Sequence, residues 1–311
     1  MKDIDSMRPW QRRAREEEIH TIAMAQLHDP DPSLKTLDLL EELSHLSPRK
    51  KRTVANLEAT VMLCVAAQIR PTRTRQSMVY LRDKQQADGS PEEFTKFEAM
   101  LKQATDSDVL LAHGFAPNTF SQMDHQKVWK NIGDVLTHLE THTGDVFLNS
   151  GTLLGVTRDK ALIEHDDDID LAVRLPASDA RSAARQWIAL REELKKAGLF
   201  DQGNYDAMAI LKIRSEGDYH IDLFPAWEEE GRIFIYPHTA GEIATSQVFP
   251  TQKCAVTGYP VPAEPEVMLE QNYGAGWRVP DPYYKFPWGP AKRRFEPFLK
   301  AVRKENRRVG S

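Results

Sequence analysis

The feature of this sequence that most constrains its fold is an acidic cluster that leads directly into an apolar stretch. From Asp168 to Leu175, polar or small residues alternate with isoleucine, leucine and valine, which is the two-residue period of a β-strand. Asp168 and Asp170 therefore project from the same face of this strand, and Asp166 shares their parity. Because crowded carboxylates raise one another's pKa, such a cluster needs a cation. Oxygen ligands without nearby nitrogen or sulfur favour Mg²⁺ or Mn²⁺.

Two other segments carry residues that would complete such a site. Asp222 lies in the apolar segment 220–224, which we predict to be a strand beside the first. A Ser-Gly-Thr turn at 150–152 follows a short apolar stretch, and its backbone N–H groups can bind phosphate oxygens. Arg158 adds a charge-assisted phosphate ligand. A bare acidic cluster is often only a solvated loop, but the alternation and the turn favour a metal and phosphate site.

Together, these motifs resemble the signature of the LicD and fukutin-related family. SGTLLGVTR at 150–158 corresponds to the family's SGTLLGxxR, and DDDID at 166–170 to the acidic part of its IPWDxDxD segment. HIDLF at 220–224 and NYGAGW at 272–277 resemble downstream elements of the family, the second being a YGxxW motif. Glu164 and His165 stand where the family usually has Pro-Trp. The resemblance covers roughly residues 124–285.

The resemblance implies an α+β domain with a nucleotidyltransferase-like, DNA polymerase beta-type mixed sheet and flanking helices. It also implies that a phospho-alcohol, such as phosphocholine, glycerol phosphate or ribitol phosphate, is transferred from a CDP-activated donor to a sugar hydroxyl. Asp222 is then either a metal ligand or the general base. The expected catalytic residues are Asp168, Asp170 and Asp222, and these three together with Asp166 are expected to bind the metal. Substrate phosphate is expected to contact Ser150, Gly151, Thr152 and Arg158. Trp277 is expected to stack on the substrate.

We therefore predict a metal-dependent phosphotransferase whose partners are a nucleotide-activated alcohol donor and a surface glycan or lipid-linked glycan acceptor. Three alternatives stay open. The protein could be a nucleotidyltransferase that transfers a nucleoside monophosphate, a metal-dependent glycosyltransferase, or an inactive binding or scaffold protein. The residues themselves indicate the metal-binding set, whereas the substrate follows only from the resemblance.

The first third of the chain shows no recognisable chemistry and is predicted to be helical. Helices are expected from about Pro9 to Leu27 and after the Ser47-Pro48 and Ser90-Pro91 start signals, in which a capping hydroxyl precedes a proline. We divide the chain into an α-helical N-terminal region, residues 1–120, and a catalytic domain, residues 121–311. Two basic runs, at 49–52 and 70–75, are interpreted as solvated surface rather than as phosphate-binding sites.

Charge and apolar patterning bear on the partners and the location of the protein. The chain has 46 acidic and 41 basic residues, a net charge of −5, so no nucleic-acid partner is expected. Lys285 to Arg308 is strongly basic, and an apolar stripe through Phe298 follows helical spacing. Residues 290–311 are therefore either a peripheral contact with an anionic membrane or a plain docking helix. The first residues lack the apolar segment of a signal peptide, and the two cysteines, Cys64 and Cys254, do not have the spacing of a disulfide framework or a zinc site. We therefore expect a cytoplasmic protein. Peripheral attachment at the inner face of the cell membrane is an added hypothesis.

Overall fold

The structure is a computed structural model that describes residues 4–48, 51–105, 119–201, 209–281 and 283–309. The chain divides into two compact units, Met1–Pro117 and Asn118–Ser311. The first unit is helical and the second contains both helices and strands. This combination confirms the predicted α+β class with a helical N-terminal region.

The described part of the first unit contains five α-helices, and the apolar helix α3 contacts each of the other four. The side chains of α3 are buried on nearly all sides, and this helix packs against α1 and α4. Its start differs from the prediction, because α3 begins at Val54 and not after Ser47-Pro48. Thr53 caps it by accepting the Asn56 N–H at 3.0 Å, and the Thr53 hydroxyl donates to the buried carboxylate of Glu16 at 2.8 Å. A tertiary contact therefore determines this boundary. The helices are α1 (Pro9–His28), α2 (Thr36–Leu46), α3 (Val54–Ala66), α4 (Pro71–Ala87) and α5 (Pro91–Thr105).

The second unit is built on a six-stranded mixed sheet. Its strand order is β1-β2-β4-β5-β6, and β3 pairs with β4 at the end of β4 that β5 leaves uncovered. Strands β2 and β4 are parallel, and the other pairs are antiparallel. The strands are β1 (Val146–Leu148), β2 (Asp168–Arg174), β3 (Leu211–Ile213), β4 (His220–Glu229), β5 (Arg232–Ile235), β6 (Thr239–Ala244) and a separate pair, β7 (Gln252–Lys253) and β8 (Pro260–Val261).

The first helix of this unit begins where the sequence predicts. Asp124 caps it by accepting the N–H groups of Gln126 and Lys127, as expected for its position before an amphipathic segment. The apolar segment 207–214 also predicts a strand from the sequence. It is observed at Leu211–Ile213, and residues 207 and 208 lie outside the described residues. The helices are α6 (His125–His142), α7 (Ser150–Leu154), α8 (Ala180–Lys196), α9 (Pro265–Tyr273), α10 (Trp288–Arg294) and α11 (Glu296–Val309).

The basic C-terminal helix α11 docks on the core of its unit. It packs against α8, where Arg191 donates to the Asn306 side chain at 2.6 Å. On its apolar side, the ring of Phe298 stacks on Trp227 with 5.0 Å between centroids, and both rings are almost fully buried. The apolar stripe therefore serves the core, as the docking alternative predicted. None of the described helices combines the length and apolarity that a membrane span requires.

The register of the central strands determines which side chains meet. Asp170 pairs with Asp222 across β2 and β4, and Asp222 pairs with Lys212 across β4 and β3. Residues that are directly opposite in a ladder point to the same face of the sheet. Two carboxylates and one lysine from three strands therefore lie in one row.

Candidate active site

Carboxylates from the two parallel strands converge at one end of the sheet. One oxygen each from Asp168, Asp170 and Asp222 lie within 4.8 Å of one another. Asp166, Asp167 and Asp168 form an overlapping group within the same limit. Asp170 and Asp222 are each only 7% exposed, whereas Asp166 to Asp168 are half-buried. The structure thus brings together all four of the acids that the sequence indicated as metal ligands.

Asp170 is held from three sides by Asn149 and by the first turn of α7, the short helix that the structure shows where we predicted a Ser-Gly-Thr turn. Its Oδ2 accepts the Gly151 N–H at 2.7 Å, and its own N–H donates to the Thr152 hydroxyl at 2.9 Å. Its carbonyl oxygen accepts the Asn149 N–H at 3.0 Å. Gly151 and Thr152, which we predicted to bind phosphate, therefore orient a carboxylate in this structure. Their contact with a substrate phosphate stays a prediction.

Close packing explains the glycine in this turn. A Cβ on Gly151 would lie 3.0 Å from Asp166 Oδ2 and 3.1 Å from Asp170 Oδ2, closer than carbon normally approaches a carboxylate oxygen. The preceding residue, Ser150, has φ of 41°, in the left-handed region that L-residues rarely occupy. The chain therefore accepts local strain to bring this turn against the acids.

Burial and mutual repulsion both disfavour the charged forms of these acids. The pKa of Asp170 is raised well above its usual value by burial and then by the charges of Asp168, Asp222 and Asp166. Burial is also the main cause that raises the pKa of Asp166 to about 6. A divalent cation bound among the oxygens would offset both effects. Asn149 adds a fully buried amide whose side-chain atoms have no hydrogen-bond partner in the described structure, so the oxygen-rich set fits a hard cation.

One basic side chain at the site was missed by the sequence reasoning. Lys212 on β3 forms an ion pair with Asp222 Oδ1, and both side chains are largely buried. Burial raises the pKa of Asp222, and the positive charge of Lys212 opposes that rise. Its only sequence signal was a lone lysine between Leu211 and Ile213, on the face of the strand opposite to these two buried side chains. Only the pairing of β3 with β4 reveals what it faces.

An aromatic wall lies beside Ser150, and the sequence reasoning missed its central residue, His238. Nδ1 of His238 lies 3.3 Å from Ser150 Oγ, and its ring contacts Phe224, Tyr273 and Phe286. Burial, with the charge of Arg294, lowers the pKa of His238 to about 3, so this histidine is neutral. Burial and then the charge of Asp170 raise the pKa of Tyr273 well above its usual value, which places its hydroxyl in the field of the acids. The NYGAGW motif thus contributes its tyrosine to the site.

Two predicted residues make contacts outside the acidic cluster. The guanidinium of Arg158 forms a two-pronged pair with Asp159, at 2.8 and 2.7 Å. The ring of Trp277 is 5% exposed and belongs to the core, with Arg278 4.3 Å from its centroid. Their roles in phosphate binding and in stacking on a substrate stay predictions.

Comparison with known proteins gives one match and one negative result. Curated proteins show no match to this chain. Residues 144–264 match the family model described as the LicD/FKTN/FKRP nucleotidyltransferase domain. This range includes the Ser-Gly-Thr turn and β2 to β4, and hence all four acids and Lys212. The family that the motifs predicted is therefore confirmed, and the chain carries a LicD-family domain over residues 144–264.

Proposed function

We propose that this protein is a metal-dependent phosphotransferase with a nucleotidyltransferase-like catalytic domain. In this proposal, it moves a phospho-alcohol from a CDP-activated donor to a hydroxyl of a surface glycan or lipid-linked glycan. The convergence of Asp168, Asp170 and Asp222 within 4.8 Å is the observation that carries the proposal. The LicD-family domain supports transfer of a phosphorus-containing group to a glycan.

The acids suit Mg²⁺ or Mn²⁺ because every donor atom in the cluster is an oxygen. Asp168, Asp170 and Asp222 would hold the metal, and Asp166 would support it. A bound divalent ion supplies charge neutralisation of the donor's diphosphate. Asp222 serves as a ligand in this proposal because its oxygen belongs to the same 4.8 Å group as those of Asp168 and Asp170.

In the reaction that we propose, the acceptor hydroxyl attacks the phosphorus distal to the nucleoside. A new P–O bond to the sugar forms, the bond from that phosphorus to the bridging oxygen breaks, and CMP leaves with that oxygen. The hydroxyl proton passes to solvent or to a nearby carboxylate of the cluster. Ser150 and Arg158 would contact the phosphate oxygens, and for Arg158 this requires that phosphate replace Asp159 as its partner.

The test is a panel of CDP-alcohols with Mg²⁺ or Mn²⁺ and glycan acceptors, in which released nucleotide is identified. CMP is expected from the phosphotransferase. Parallel assays with CTP and with nucleotide sugars as donors test the alternatives. Pyrophosphate released from CTP, or free phospho-alcohol released from a CDP-alcohol, would indicate nucleotidyl transfer, and a nucleoside diphosphate released from a nucleotide sugar would indicate glycosyl transfer. Any of these as the main activity contradicts the proposal.

Variants assign the activity to the acidic cluster. We expect Asp168→Asn and Asp170→Asn to lower turnover by about 100-fold or more, as for loss of other groups that stabilise transition-state charge. Asp134→Asn is the matched control, because this acid is exposed on α6. Near-normal turnover in either site variant would show that the site is elsewhere.

A further inference from the structure

The first unit brings two basic runs together around one cavity. Arg52 comes from the run at 49–52, and Arg70 and Arg73 come from the run at 70–75. These arginines line a cavity of about 500 Å³. No carboxylate occurs among the described residues that line it. Three cationic side chains from two separate segments therefore surround one cavity.

The positive end of helix α4 faces the same place. This 17-residue helix begins at Pro71, and its N-cap, Arg70, has a left-handed backbone with φ of 54°. The helix has no side-chain cap and no acidic residue in its first turn. Its N-terminal partial positive charge is therefore not neutralised locally. It adds to the charge of the arginines instead of offsetting it.

Arg73 holds its charge in a partly enclosed position. Its Nη2 donates to the carbonyl oxygen of Leu40 at 3.3 Å, which anchors the guanidinium. Burial and the nearby charge of Arg70 both lower the pKa of Arg73. Placing like charges at a cavity costs free energy unless an anion compensates them. A planar guanidinium suits tetrahedral oxyanions, because it donates two parallel hydrogen bonds.

We propose that the cavity formed by Arg52, Arg70 and Arg73 binds a phosphate group, carried either on a soluble phosphate ester or on a lipid headgroup. The site lies wholly within the first unit and is independent of the acidic cluster. It assigns an anion-binding role to a region that the sequence left without chemistry.

The first experiment measures binding of inorganic phosphate to the full-length protein by calorimetry at physiological salt. EDTA is present, so that phosphate cannot bind through a metal at the acidic cluster. Saturable binding is expected, and Arg70→Asn should weaken it about tenfold, the effect of losing one charge-assisted contact. Asparagine tolerates the left-handed backbone, so this variant removes the charge without new strain. Arg52→Gln should weaken binding similarly.

Arg75→Gln is the matched control, since it removes the same charge from the same run outside the residues that line the cavity. Its affinity for phosphate should stay within about twofold of the original protein, whereas a loss equal to that of Arg70→Asn would indicate a general charge effect and overturn the proposal. Circular dichroism establishes that each variant is folded.

A second arm separates the two sources of phosphate. Vesicles with and without phosphatidic acid are sedimented with the protein, with glycerol 3-phosphate as a soluble competitor. Arginine-dependent binding of glycerol 3-phosphate alone indicates a soluble ligand, and arginine-dependent sedimentation indicates a headgroup. Either result supports binding of a phosphate group by these arginines. Absence of both, or binding that is equal in all variants, overturns the proposal.

Discussion

At the scale of single residues, the site depends on contacts that hold Asp170. Three residues of the segment 149–152, namely Asn149, Gly151 and Thr152, form its hydrogen bonds. Because two of these bonds involve backbone atoms of the turn, the carboxylate geometry depends on the path of the main chain. A pre-organised carboxylate set of this kind reduces the rearrangement needed when a cation binds.

Gly151→Ala tests this dependence on the main-chain path. The added methyl group would press on Asp166 Oδ2 at 3.0 Å and Asp170 Oδ2 at 3.1 Å. We expect the affinity for Mn²⁺ to fall by about tenfold or more, in line with the effect of disturbing groups that support metal ligands. Calorimetric titration with Mn²⁺ measures this. Gly276→Ala is the control, since nothing lies within 4 Å of a Cβ there. Equal affinities in the two variants would contradict the argument.

Lys212→Met tests the balance of charge at the acids. Removal of the lysine leaves Asp222 largely buried beside other carboxylates without its cationic partner. In EDTA, we expect the free energy of unfolding to fall by about 1–3 kcal/mol at neutral pH. Mg²⁺ or Mn²⁺ should restore part of this loss. Urea denaturation with and without metal measures both effects, with exposed Lys300→Met as the control. An unchanged stability in EDTA would show that the pair contributes nothing.

At the scale of elements, buried contacts hold even highly charged helices against the rest of their unit. Helix α11 is basic on its outer side, yet its apolar residues pack on Trp227 and Tyr236. Trp227 stacks between Phe298 and Phe234. In the first unit, His20 links α1 to Glu58 of α3. Each element is thus fixed by a small number of identifiable contacts.

Phe298→Ala measures how far α11 is part of the core. The phenyl ring is 1% exposed and contacts two aromatic rings, so we expect a loss of about 3–5 kcal/mol in the free energy of unfolding. Chemical denaturation measures the loss. Lys300→Ala on the same helix should change it by less than about 0.5 kcal/mol. A small loss for Phe298→Ala would indicate that α11 leaves the core readily and is available for other contacts.

The pair of His20 and Glu58 predicts a pH dependence with a definite sign. The hydrogen bond to Glu58, at 2.8 Å, raises the pKa of His20 above its ordinary 6.5, although burial opposes the rise. The stabilisation is therefore complete below about pH 6.5 and is lost as the pH rises through the raised pKa. We expect His20→Gln to cost about 1 kcal/mol near pH 5.5 and much less near pH 9. A double-mutant cycle with Glu58→Gln isolates this pair, and an equal cost at both pH values would exclude the ion pair.

At the scale of the whole molecule, each unit has its own buried residues, and the core of the second is formed by residues between Phe120 and Val302. We therefore expect separate fragments of residues 1–117 and 118–311 to unfold cooperatively on their own. Thermal unfolding of each fragment, compared with the full chain, measures this. Failure of the second fragment to fold would show that it depends on the first. That result would also remove the proposed division of the chain near residue 120.

Local patterns were sufficient to predict the elements that depend on neighbouring residues. The alternation at 168–175 predicted β2, and Asp124 predicted the start of α6. Contacts between distant segments were not visible in the same way. Lys212, His238 and Tyr273 acquire their roles only when β3, the turn between β5 and β6, and α9 fold against the site. No short-range period encodes that arrangement.

Asp170 and Asp222 are neighbours across a parallel strand pair, yet they lie 52 positions apart in the sequence. A parallel pair cannot close through a tight turn, so the connection through α8 and β3 must be complete before the two carboxylates meet. The full set of ligands therefore does not exist in isolated β2 and requires β4 at its side. Binding of a divalent ion at this site would stabilise the assembled crossover as a whole, because only that state offers the ligands.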